Sequence, residues 1–242
     1  MQKRLKHHRR ILQFGAFALL SSLAYGQDEG RQARVDVRLQ LTDSAHRQKG
    51  HIPPAVLWLK PLNGAPSQAF LPSGPYTLLQ KNRMFKPHLL VVPVGSVVAF
   101  PNADPFFHNV FSLFNGKRFD LGLYEAGTTK EVNFSREGVS YIFCNIHPQM
   151  SAVVLALSTP LYSVAESGGA FTIHRVPAGE YELHVWVEGF TQPALDLLTR
   201  RVQIGALKGD LGDIEISGVP HQSMKHLNKF GQPYDEDSKP PY

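Results

Sequence analysis

The stretch Ser140-Tyr-Ile-Phe-Cys-Asn-Ile-His-Pro-Gln-Met150 holds the only cysteine of the chain, Cys144, with His147 three residues on and Met150 six. Residues 139–144 and 151–157 read as strands on either side of a tight loop. Pro148 stiffens that loop by fixing its own φ. Upstream, Phe100-Pro-Asn-Ala-Asp-Pro-Phe-Phe-His-Asn-Val-Phe-Ser112 brings a second histidine, His108, to the start of another strand. Taken singly these residues say little: His108 could be a satisfied core histidine and Met150 an ordinary core filler. Together, a thiolate, two imidazoles and a thioether form the donor set that suits one copper ion moving between two oxidation states.

Working outward, the rest of the chain reads as short strands and turns. Val35, Val37, Leu39 and Leu41 alternate with polar residues, as in a half-buried strand. Residues 55–59 form a second strand, ended by Pro61 and Asn63-Gly64, and residues 63–75 a connector. Further strands fall at 76–81, 89–94, 97–100, 109–114 and 129–134. After residue 160 the character changes: residues 168–187 read as a hairpin of two alternating strands around Pro177-Ala-Gly179. Residues 202–204 and 214–216 add two more strands, and residues 218–242 read as a flexible, polar tail. With 20 Gly and 18 Pro and no long helical periodicity, the expected class is all-β, built as sandwiches.

Residues 1–26 read separately, as a secretory signal peptide: a basic start, an apolar run from Ile11 to Tyr25, and small residues in Ala24-Tyr-Gly26. Arg9-Arg10 hints at twin-arginine export, although the residues after the pair match that signal poorly. The expected location is therefore periplasmic or secreted, with no stable membrane insertion after cleavage. Five of the 25 Lys and Arg lie in this leader and none of the 20 acids does, so the remainder is balanced in charge. A balanced chain gives no support for nucleic-acid binding, which needs a clustered basic face. A lone cysteine cannot form an internal disulfide, and in an oxidising compartment a free thiol is a liability unless it is buried or ligated.

Residues from about 78 to 157 resemble a cupredoxin of the plastocyanin and amicyanin kind. The 100–112 segment is similar to that family's first ligand motif, and Cys144-x-x-His147-x-x-Met150 to the short ligand loop of amicyanin. The resemblance implies a Greek-key β-sandwich with His108, Cys144, His147 and Met150 as metal ligands. Asn109, next to His108, is a candidate for hydrogen bonds that fasten the cysteine loop. The whole chain resembles secreted proteins of the methylamine-utilisation-like kind, a label that does not establish a methylamine dehydrogenase partner.

A second resemblance lies in Gly169-Ala-Phe171 and Val176-Pro-Ala-Gly-Glu-Tyr-Glu-Leu183, which are similar to the carboxypeptidase-regulatory-like β-sandwich module. It implies a small module made of residues 31–64 and 159–217, with the cupredoxin segment 65–158 inserted. In the competing arrangement the first two strands extend the cupredoxin sheet.

Absences narrow the function. The sequence has no His-x-His pair for a trinuclear copper centre, no second cysteine for a dinuclear one, and no Cys-x-x-Cys-His for haem. It shows no nucleophile elbow or phosphate loop either. One mononuclear site filled by protein ligands leaves no position for substrate, so a carrier is expected rather than an enzyme. The expectation is a one-electron blue-copper carrier whose redox protein partner the sequence does not identify. The alternative is a copper-binding module for delivery, storage or sensing.

Overall fold

The computed structural model describes residues 32–42, 52–63, 68–113, 116–165, 168–205, 208–218, 220 and 227–234. The leader expected at residues 1–26 lies outside them. The chain opens with β1 (Gln32–Thr42) and β2 (Ala55–Leu62). Its middle carries β3 (Tyr76–Thr77), β4 (Leu79–Gln80), β5 (Phe85–Lys86), β6 (Leu89–Pro93), β7 (Ser96–Pro101), β8 (His108–Ser112), β9 (Phe119–Tyr124), β10 (Thr129–Phe134), β11 (Gly138–Cys144) and β12 (Ser151–Leu157). The last third adds β13 (Tyr162–Ala165), β14 (Ala170–Pro177), β15 (Gly179–Val187), one helical turn α1 (Gln192–Asp196), β16 (Arg200–Ile204) and β17 (Lys208–Ser217).

Two sheets make the sandwich that holds the metal-ligand candidates. One runs β10-β7-β3 and the other β6-β12-β11-β8-β9. Between them lies a core of Val98, Phe100, Val110, Val132, Phe134, Ile142, Val154 and Ala156, all buried, and Cys144 and Met150 belong to it. Two further sheets, β13-β2-β15-β16 and β14-β1-β17, face each other across a second core. Here the alternation of β1 pays off: Ala33, Val35, Val37, Leu39 and Leu41 all point inward while their neighbours meet solvent.

The cores meet at β12. Its sequence Ser-Ala-Val-Val-Leu-Ala-Leu is apolar on both faces after the first residue, as a strand covered on both sides must be. Ala152, Val154 and Ala156 pack into the first core, and Val153, Leu155 and Leu157 into the second. Trp186 of β15 donates from Nε1 to the Tyr141 hydroxyl of β11 at 3.2 Å, and Lys60 pairs with Glu137 at 3.0 Å, so polar contacts tie the same two layers.

Several elements differ from the sequence expectation. The 168–187 segment is not a hairpin: β14 pairs with β1, whereas β15 pairs with β2 and β16. Pro177 has no N–H for a hairpin ladder, and the chain there crosses from one sheet to the facing one. Tyr181 braces the corner, its hydroxyl donating to the Pro177 carbonyl at 2.8 Å. Pro61 does not end β2. It pairs opposite Tyr181, and by that point β13 has stopped pairing on the other side, so the missing N–H falls on an open edge. The strand expected at 109–114 begins with His108 itself and ends at Ser112. β9 escaped notice because Gly122, at φ +65°, interrupts its alternation.

β1 and β2 hydrogen-bond with strands that follow residue 158 and, among the described residues, with none of β3 to β12. Residues 227–234, expected as part of a flexible tail, form a turn lying against the metal-ligand loop.

Candidate metal centre

His108 opens β8, Cys144 closes β11, and the pairing of these strands sets Cys144 opposite Val110. The ligand loop turns back at once: the Met150 N–H donates to the His147 carbonyl at 2.9 Å, and the Cys144 N–H to the Met150 carbonyl at 3.2 Å. This turn brings His147 round to face His108. All four residues are buried, His147 being 3 % exposed and Met150 1 %.

Three donor atoms converge. Cys144 Sγ lies 3.5 Å from His108 Nδ1 and 3.5 Å from His147 Nδ1, and the two Nδ1 atoms are 3.2 Å apart. A point equidistant from the three lies about 2 Å from each, within the range of metal–nitrogen and metal–sulfur bonds, ~2.0–2.3 Å. The triangle therefore fits a metal ion. Its chemistry, one sulfur and two imidazoles with a buried methionine on the same loop, resembles that of a type 1 copper site.

The surroundings hold these groups in place. Asp104, which sequence reasoning passed over, accepts a hydrogen bond from His108 Nε2–H at 2.9 Å. That fixes the ring with Nδ1 turned inward. The same carboxylate accepts the backbone N–H groups of Asn82 at 2.6 Å and Arg83 at 3.0 Å. Burial alone would raise the Asp104 pKa, but these three bonds outweigh it and the net shift is downward. Asp104 is thus an anion that orients His108. The Phe106 ring packs on both imidazoles, 5.3 Å from His108 and 5.4 Å from His147, and the Arg83 guanidinium lies over it. Its neighbour Phe107 is 40 % exposed.

Asn109 fastens the cysteine loop through its backbone: its carbonyl accepts the Asn145 N–H at 2.9 Å. Its side chain turns away and donates to Asp120 at 2.6 Å. The backbone N–H groups of Asn109, Ile146 and His147 are directed at the Cys144 sulfur.

Burial dominates the electrostatics. It pushes the Cys144 thiol above its ordinary value in spite of those three N–H groups. It pushes His108 down, and His147 down to about 4, where His108 and Arg83 add repulsion. At neutral pH the thiol is protonated and both imidazoles are neutral. Loading with a metal ion should therefore release about one proton, from Cys144, because only the thiol must deprotonate. Proton release in weakly buffered solution checks this, and a value near zero would show the thiolate already formed.

The same shifts set the pH dependence of the metal-free chain. Between about pH 6.5, the ordinary histidine value, and about pH 4 the unfolded chain binds more protons than the folded one. Stability should fall as pH drops through that window, which thermal unfolding at stepped pH would show.

Among the remaining histidines, His88 pairs with Glu188 at 2.6 Å, and His184 stacks on Trp58 at 5.2 Å. His221 and His226 lie outside the described residues. A cavity of about 550 Å³ lies between the β2/β15 and β11/β12 layers, lined by Trp58, Tyr141, His184 and Trp186; none of the four ligand candidates borders it.

Comparison with known proteins gives partial matches. A purple cupredoxin from Nitrosopumilus maritimus is 28 % identical over 34 % of this chain and 99 % of that chain, with a TM-score of 0.31. Amicyanin from Paracoccus versutus is 18 % identical, covering 36 % of this chain and 85 % of its own, with a TM-score of 0.33. A copper-containing nitrite reductase from Thermus scotoductus is 24 % identical over 40 % of this chain and 25 % of that one, with a TM-score of 0.34. Residues 162–208 match the family described as polysaccharide lyase family 4, domain II. No curated protein matches the chain. The described residues are nearly all-β, with one sandwich that holds the candidate ligands and an additional small β module that the match at 162–208 overlaps. The first sandwich carries His108, Cys144 and His147 converging, with Met150 buried in the same core, a set that resembles a type 1 copper site.

Proposed function

We propose that the chain is an exported blue-copper protein that carries one electron at a time between redox protein partners and catalyses no reaction of its own. The observation that carries this reading is the buried triangle of Cys144 Sγ and the two histidine Nδ1 atoms, with Met150 on the same loop. Copper bound there would supply a one-electron couple. The chain's own residues prepare for it: Asp104 holds His108, three N–H groups face the sulfur, and Phe106 keeps water from both imidazoles. A site restrained in this way moves little when its charge changes, which suits electron transfer. His147, the ligand on the loop, is proposed as the exit edge.

The second unit is proposed as a carboxypeptidase-regulatory-like module made of residues 31–64 and 159–217, with 65–158 inserted. The pairing of β1 and β2 with β13 to β17 supports it. Its role is structural or partner-docking.

Copper(II) titration followed by visible absorption tests the function. An intense thiolate-to-copper band is expected, and its absence would remove the blue-copper reading. Met150→Gln should keep copper and lower the reduction potential, because an oxygen donor in place of the thioether would favour copper(II). Loss of all binding in that variant would show the role given to Met150 to be wrong. The burial of His147, at 3 %, favours a second reading, copper delivery, storage or sensing. Fast self-exchange with slow copper release would decide for the carrier, and the reverse for delivery.

A further inference from the structure

We propose that residues 227–234 form a clasp on the ligand loop, with Tyr234 and Lys229 as positioning residues for the metal centre. The proposal rests on the copper reading of that site. The segment makes a tight turn in which Gly231 N–H donates to the Asn228 carbonyl at 2.9 Å, while the Asn228 side chain accepts the N–H groups of Phe230 and Gln232. The turn is thus built by its own bonds, and from it side chains reach both halves of the site.

The first contact is on the cysteine. The Tyr234 hydroxyl donates to the Cys144 carbonyl at 3.1 Å. That carbonyl belongs to the peptide plane whose N–H, on Asn145, donates to the Asn109 carbonyl at 2.9 Å. The plane between Cys144 and Asn145 is therefore gripped from both ends, by β8 on one side and the clasp on the other.

The second contact is one residue on. The Lys229 N–H donates to the Asn145 side-chain oxygen at 2.9 Å. Asn145 precedes Ile146 and His147, whose N–H groups face the cysteine sulfur.

The third contact reaches the other ligand strand. Lys229 Nζ pairs with Asp120 at 2.9 Å, and the other oxygen of that carboxylate accepts the Asn109 side chain at 2.6 Å. Asp120 is buried enough to raise its pKa, yet the bonds from Lys229, Asn109 and Gly122 bring the net shift down, so it is an anion held between them. One short segment thereby restrains Cys144, Asn145 and the residue beside His108. A hydrogen bond of net ordinary strength changes a local opening equilibrium by about three- to tenfold, and the clasp applies several at once.

The test uses the full chain with Tyr234→Phe, Lys229→Ala and the pair combined. Without metal, amide hydrogen exchange at Asn145, Ile146 and His147 should quicken by about three- to tenfold in each single variant, and further in the double, with the thermal midpoint little changed. With copper(II), the double variant should lose metal faster to a chelator, and its visible band and the copper hyperfine splitting in electron paramagnetic resonance should shift. Lys229→Arg, which keeps a cation for Asp120, should restore part of the parent behaviour. Exchange rates in the double variant indistinguishable from the parent would overturn the clasp. If the parent itself takes up no copper, the proposed function falls, while the exchange rates still decide whether the clasp exists.

Discussion

Replacing Cys144 with serine will abolish the thiolate-to-copper absorption and weaken copper binding by at least about a hundredfold, since even the outer partners of metal ligands are worth 10–100-fold. The reason lies in the donor triangle. Its sulfur vertex supplies the soft, charge-donating ligand, and the remaining two imidazole Nδ1 atoms, 3.2 Å apart, make a site any divalent metal could use. The shorter C–O bond of serine sets its acceptor back from where the sulfur lies, and its hydroxyl does not ionise at neutral pH to bind a metal. The N–H groups of Asn109, Ile146 and His147 that face the sulfur would then lose a partner in a buried pocket. A moderate loss of stability in the metal-free form should accompany the spectroscopic change. Retention of the visible band in Cys144→Ser would show that another residue supplies the charge-transfer ligand.

The largest expected effect on stability comes from Leu155→Ala. Leu155 is fully buried at the centre of β12, the strand whose two faces line the two cores. The truncation should cost about 2–5 kcal/mol, the usual range for emptying a buried leucine site. More telling than the size is where the loss is felt. Both tryptophans, Trp58 and Trp186, lie in the sheet that faces β12 from the second core, so their fluorescence reports that core. The copper absorption reports the first. Because β12 is common to both, the two signals should move together to lower denaturant, in parent and variant alike. Separate transitions, with only the fluorescence shifted, would show that the cores unfold independently.

The convergence of His108, Cys144 and His147 was legible in sequence because the signals are local. Cys144, His147 and Met150 sit on one short loop, and a His-Asn pair opening a strand is a compact signal. The outer partners were not legible because they come from afar. Asp104 is anchored by Asn82 and Arg83, 22 and 21 residues upstream, and Tyr234 reaches Cys144 from 90 residues downstream. Only Asp104, four residues before His108, left a trace that could have been followed. Strand positions were read well from alternation, but alternation says which face is buried and not which strand lies alongside. Alternation over 168–187 therefore predicts a hairpin, although the two halves lie in different sheets. The clasp failed for another reason: a polar, proline-containing stretch carries no periodic signal, and its order comes from hydrogen bonds to a distant loop.

The first strands of this chain find their partners last. Thr42 meets Ile216 across 174 residues, whereas β11 and β12 are joined by a six-residue turn. Assembly is therefore expected to begin in the middle, where contacts are short-range, and to reach β1 and β2 at the end. The middle also prepares the finish, because Leu59 N–H bonds to the Leu161 carbonyl at 2.9 Å where the chain leaves and re-enters. Closing a loop of roughly one hundred flexible residues would cost on the order of 4 kcal/mol in chain entropy. A middle already folded has its two ends side by side, so most of that cost is met before the outer sheets form. A metal ion bound early to Cys144 and its neighbours would, by mass action, hasten completion of sheets it never touches.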